Sequence, residues 1–187
     1  TALGFLHHNN TLHLDIKLDN VVIKGDDLHP YLIDFGLSME VDDVNKGFYN
    51  RSKFVTLTYR APEILIGGRQ YNAAVDIWSF GILMWHVFTE ANYHNISGLK
   101  DDDSFDVILY DKLKSFSNPE FYNPSVMRRI PPNKRRIVRT LLMDTLNMDP
   151  QKRPTIDAIL SHPIFDSVRY QIEGMVINPS IHEIVTD

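Results

Sequence analysis

The chain contains no cysteine among its 187 residues. That excludes a disulfide framework and a thiolate zinc site, and it permits a reducing compartment. A long hydrophobic run is also lacking. The most apolar stretch, Ile77 to Phe88, is interrupted by Ser79, Gly81 and His86 and falls short of the roughly 20 apolar residues that span a bilayer. It reads instead as a buried helix of a soluble protein. No basic segment followed by an apolar one opens the chain at Thr1, so no signal peptide is expected. Cationic excess is absent too: 19 Lys and Arg stand against 24 Asp and Glu, for a net charge of -5. A chain of that balance repels nucleic acid and anionic membrane, and neither is expected as a partner. There is no internal repeat and no low-complexity segment. An intracellular site, cytoplasmic or nuclear, is the expectation.

What is present is enough apolar material, 43% of residues, for one domain or one large lobe. Its chemistry is concentrated in His13-Leu14-Asp15-Ile16-Lys17-Leu18-Asp19-Asn20 and, shortly afterwards, Asp34-Phe35-Gly36. Two carboxylates, an amide and an ammonium on polar turns between apolar runs suit Mg-assisted phosphoryl transfer. One group orients a hydroxyl, a cation meets phosphate charge, and two oxygens hold a hard metal. Asp15, Lys17, Asn20 and Asp34 have the right types. The runs Val21-Val22-Ile23 and Tyr31-Leu32-Ile33 flank Lys24-Gly25-Asp26-Asp27 as a hairpin would. Such a hairpin hangs Asn20 at one end and Asp34 at the other, which could bring both oxygens to one cation.

The ordered set His-x-Asp-x-Lys-x-x-Asn, Asp-Phe-Gly and Ala61-Pro62-Glu63 resembles the catalytic half of a eukaryotic serine/threonine protein kinase. Thr56-Leu57-Thr58-Tyr59-Arg60-Ala61-Pro62-Glu63 is most similar to the cyclin-dependent and mitogen-activated branch, although Thr58 stands where that branch has tryptophan. The resemblance implies a protein kinase-like α+β fold, C-terminal lobe only, mainly helical with a short β-hairpin carrying the metal ligands. It covers residues 1–165, with a catalytic loop at 13–20, an activation segment at 34–63 and a central helix at 72–89. Residues 166–187 are an extension of unknown role.

The implied substrate is ATP with Mg²⁺, and the acceptor is a serine or threonine of a protein. By position, Asp15 would orient the hydroxyl and take its proton, Lys17 would stabilise transferring charge and bind the nucleotide, and Asn20 and Asp34 would hold the metal. Thr56 would keep Asp15 and Lys17 in register. His13 would brace the loop, Asp76 would reach its backbone, Trp78 would face the core, and Glu63 would pair with Arg153. Read without the resemblance, Asp76 is a helix N-terminal acid, Glu63 and Arg153 are unrelated surface charges, and His7, His8 and His13 are either a metal cluster or helix-end polarity with one structural histidine.

Two departures go together: Leu14 occupies the usual arginine position of the catalytic loop, and Arg51 the branch's usual phosphothreonine position. Activation through an arginine-phosphate clasp is therefore not expected. Tyr49 and Ser52 remain candidate phosphosites. Val21-Val22-Ile23-Lys24 mimics the phosphate-gripping kinase lysine motif but follows the catalytic loop, and no Gly-x-Gly-x-x-Gly precedes it. Thr1 to His8 reads as the uncapped end of a longer helix. The expectation is a fragment that needs a small lobe in cis or another chain in trans and is inactive alone. A stand-alone lobe or pseudokinase that docks on true kinases is the alternative. Arg128, Arg129, Lys134, Arg135, Arg136 and Arg139 form the one basic concentration, either a solvated face or a site for an acidic partner.

Overall fold

A computed structural model describes residues 1–25, 29–43, 57–67, 71–89 and 109–166. Helix α1, Ala2–His8, opens with Thr1, whose hydroxyl accepts from Gly4 N at 3.2 Å. The helix thus has an N-cap that the sequence reading did not expect. Strand β1, Thr11–Leu12, pairs antiparallel with β4, Met39–Glu40. Between them, β2 (Val21–Lys24) and β3 (His29–Leu32) form an antiparallel hairpin in which Val21 opposes Leu32 and Lys24 opposes His29. The second strand begins two residues before the expected one. It takes in Pro30, which an edge strand tolerates. A short helix α2, Val41–Asp43, follows β4, and α3 is Pro62–Leu65 with proline in its first turn.

Helix α4, Ala74–Thr89, is the rod on which the rest packs. Its residues are apolar on nearly every face, so it is stable only if surrounded. Trp78, Ile82 and Trp85 are at most 1% exposed. Asn72 Oδ1 accepts from Ala74 N and delays the start by two residues relative to the expected 72. Residues 109–113 are helical (α5) and run into the 3₁₀ turn Lys114–Ser117. Around Trp85, Phe116 and Tyr122 present ring edges at 5.3 and 5.6 Å and Phe121 stacks at 5.0 Å. Such contacts add about 0.5–1.5 kcal/mol per pair to what area burial provides. Helices α6, Pro132–Thr145, and α7, Ile156–Leu160, complete the core. Among the described residues no helix is long and apolar enough to cross a membrane.

α4 and α6 approach closely at Gly81. A Cβ there would lie 2.8 Å from both Leu146 Cδ2 and Thr145 Oγ1. Gly81→Ala gains about 1 kcal/mol of helix propensity but inserts a methyl into filled space, which costs about 1–3 kcal/mol. The clash is expected to win: the urea midpoint should fall, and an unchanged or raised midpoint would show that the two helices can part freely.

His86, half-buried against the Tyr59 ring at 5.6 Å, is held by desolvation below the ordinary imidazole value of 6.5. The native state therefore refuses a proton that the unfolded chain accepts, so stability falls as pH drops below the ordinary value and is indifferent to this group above it. Urea unfolding at about pH 7.5 and about pH 5.5 should show a smaller acid loss for His86→Gln than for the parent chain. Equal losses would place the acid sensitivity elsewhere.

Candidate active site

The loop from β1 to β2 carries the site. Leu14 sits at φ 66°, a left-handed conformation that costs a residue with a Cβ about 1–2 kcal/mol. It is held there from below. Asp76, fully buried in the first turn of α4, accepts from His13 N at 2.8 Å and Leu14 N at 2.9 Å. Its Oδ2 also meets His7 Nε2 at 3.0 Å. Amide bonds to an ionised acceptor contribute about 1.5–3 kcal/mol each, enough to offset the strain. A solvent-facing acid at this position is excluded by its burial.

Above this clamp, Asp15 is 8% exposed. Lys17 Nζ donates to Asp15 Oδ2 at 2.6 Å. Asn20, in the 3₁₀ turn Leu18–Asn20, donates through Nδ2 to the same oxygen and to Asp15 O, both at 2.8 Å. The structure thus brings Asp15, Lys17 and Asn20 onto one atom. With its nitrogen turned inward, the Asn20 amide keeps its oxygen free of protein donors among the described residues.

Asp34 lies beyond the hairpin. Ile33 N donates to Asn20 O at 2.9 Å, extending the β2–β3 pairing by one step and leaving Asp34 next in line. Its φ of 62° is one that aspartate tolerates better than most residues, and Oδ1 accepts from Gly36 N at 3.2 Å. The exposed carboxylate of Asp34 and the amide oxygen of Asn20 are hard oxygen donors. That is the donor set Mg²⁺ accepts when phosphate and water fill the remaining positions. Among the described residues no three His, Asp or Glu side chains gather as a metal cage. His7 and His8 go instead to Asp76 and Asp157.

His13 is completely buried beneath Phe35, ring centroids 5.1 Å apart. Its Nδ1 accepts from Asp15 N at 3.3 Å, which puts the proton on Nε2. Desolvation lowers its pKa against opposing pulls from Asp76, the Ile33 backbone, Asp15 and Asp34, so the ring is neutral at physiological pH. A neutral ring places no positive charge beside Asp15.

Glu63 and Arg153 form a bidentate pair with both distances 2.7 Å. The Arg153 guanidinium also donates to Ala74 O and Asn147 O, each at 2.8 Å, and lies 5.0 Å from the Trp78 ring centroid. Breaking such a buried pair from one side costs about 3–5 kcal/mol. Thr56, Arg51, Tyr49 and Ser52 lie outside the described residues. Two contributors had no signal in the sequence. Tyr59, in the 3₁₀ turn Leu57–Tyr59, accepts from Leu18 N through its hydroxyl at 3.5 Å. Its own carbonyl accepts from Ser79 Oγ at 2.8 Å, which fastens the turn to α4. Nothing in the composition around Tyr59 or His7 marks either as a link between distant segments.

The chain is similar to known proteins along most of its length. The chain is 28% identical over 98% of its length to the serine/threonine-protein kinase MAK of Rattus norvegicus, and 31% identical over 94% to the CTD kinase subunit alpha of Schizosaccharomyces pombe. It is 42% identical over 59% of its length to a protein kinase C-like protein of Caenorhabditis elegans. It spans 30%, 32% and 15% of those relatives. Residues 1–165 match the protein kinase domain, and the chain belongs to the protein kinase family, of the eukaryotic serine/threonine type.

Proposed function

We propose that these residues form the large lobe of an enzyme that transfers the γ-phosphoryl group of ATP to serine or threonine hydroxyls of proteins, working with a small lobe supplied in cis or in trans. The observation that carries this reading is the convergence of Lys17 and Asn20 on Asp15 Oδ2. A protein that only docks on others has no chemical need for that arrangement. Asp15 orients the acceptor hydroxyl and takes its proton. Lys17, already beside that carboxylate, follows the charge of the moving phosphoryl group. Mg²⁺, held by Asn20 and Asp34, would neutralise phosphate charge.

The need for a second lobe is supported by two features. No glycine-rich loop occurs in the 187 residues. Val22, Tyr31, Ile33 and Phe35, beside Asn20 and Asp34, are 40–48% exposed, an apolar surface suited to being covered.

In the enzyme completed with a glycine-loop lobe, Asp15→Asn should lower kcat by about 10²–10⁴-fold with little change in KM for a peptide, as loss of a general base does. Transfer of labelled phosphate to a Ser/Thr peptide checks this. The chain alone should transfer negligibly; magnesium-dependent phosphorylation by it, lost on Asp15→Asn, would remove the requirement for a second lobe.

Asp76 is assigned as a positioning residue. Asp76→Leu strands the amides of His13 and Leu14, at about 1–3 kcal/mol each, while Asp76→Asn keeps an acceptor. Denaturant unfolding should rank Leu well below Asn, and kcat should recover partly with Asn. Equal loss in both would mean that charge rather than amide capture is what the loop requires.

A further inference from the structure

The basic concentration has no part in the chemistry above. We propose that the start of α6 and the turn before it form a docking surface for an Asp/Glu-rich segment of a protein substrate. Arg128, Arg129, Lys134, Arg136 and Arg139 are exposed, and Arg135 is half-buried with Nε on Ile130 O at 3.0 Å. Six of the chain's 19 cations thus fall within residues 128–139, and no acid occurs between Glu120 and Asp144. Lys134, Arg136 and Arg139 have no ion-pair partner among the described residues. Pro131 caps the helix without a side-chain acceptor, and its first turn carries no acid. The positive end of the helix therefore adds to these cations.

The form of the surface selects the occupant. Arg136 and Arg139, three residues apart, share the solvent face of α6, and Lys134 stands exposed on another side of its first turn, so an extended run of carboxylates matches these spread cations better than one phosphate. Nucleic acid is disfavoured, because Phe121 and Tyr122 pack against the core and, among the described residues, no exposed aromatic accompanies the charges. A membrane would need apolar residues to insert, yet Ile130 and Val138 are buried and Ile137 is half-buried.

Fourteen residues make α6 about 21 Å long. Just beyond its far end, Asn147 O meets Arg153, which holds Glu63. The far side of the patch is thus about a helix length from Arg153, which also meets Ala74 O two residues before the Asp76 that holds the Asp15 loop, and the patch therefore tethers a substrate rather than reading residues at the phosphoacceptor. Reaching across needs roughly six extended residues of linker. That the tethered protein is a substrate rests on the kinase reading; the binding itself does not.

Fluorescence anisotropy of a labelled Asp/Glu-rich peptide with the full chain, without nucleotide and at low salt, tests it. Binding is expected, weakened by salt and by Arg136→Glu with Arg139→Glu by about tenfold or more. Lys24→Glu with Lys112→Glu, the same change in net charge, should shift affinity by no more than about twofold. If circular dichroism shows the reversed pair misfolded, Arg136→Gln with Arg139→Gln should still weaken binding by about threefold. No binding, equal weakening by the two double reversals, or displacement of the peptide by a DNA duplex or anionic vesicles at lower concentration would overturn the proposal. Binding without any phosphoryl transfer by the completed enzyme would leave the docking surface standing and remove the kinase reading.

Discussion

The buried carboxylate of Asp76 is the constraint from which the site follows. An isolated charge at that depth would cost several kcal/mol, and it is tolerated because His13 N, Leu14 N and His7 Nε2 meet it. Those partners come from α1 and from the loop between β1 and β2. One buried carboxylate thereby satisfies its own desolvation and dictates the backbone of a loop 62 and 63 residues earlier. The loop's polar side chains are then set by its backbone. Asp15, Lys17 and Asn20 meet because Leu14 is held in a conformation it would not choose alone.

Arg153 performs the corresponding task at the other side of α4. Its guanidinium reaches Glu63 on α3, Ala74 O at the head of α4 and Asn147 O after α6, while its face lies over Trp78. A planar fork with fixed donors on three nitrogens suits this better than a lysine, whose three N–H donors radiate from one nitrogen and could not meet both Glu63 oxygens and two separate carbonyls at once. Rigid support for the chemistry thus comes from two charged residues sealed in an apolar core. The loops above can be polar and exposed because they are fastened from beneath.

The exposed rim of the hairpin belongs to the same logic. Val22 opposes Tyr31 in the pairing, so these side chains share a face, and Ile33 and Phe35 continue it past Asn20 and Asp34. Polar groups for transfer and an apolar surface for cover therefore meet along one edge. The buried neutral His13 under Phe35 joins that edge to the Asp76 clamp.

Much of this was legible in the chain. The ordered catalytic motifs named the family, the all-round apolar character of residues 72–89 named a buried helix, and β-branched runs around Lys24-Gly25 named the hairpin. These are local signals, written in residue type and spacing. The helix cap at Thr1, the proline inside β3, the link from His7 to Asp76 and the hydroxyl of Tyr59 were not legible, because each depends on a partner distant in sequence or on a backbone angle. By itself, then, the sequence determined which chemical groups are present and which segments must be buried. Only the tertiary structure decided which of those groups touch, since a carboxylate, a guanidinium or an imidazole acquires its role from the partners that desolvation forces it to find.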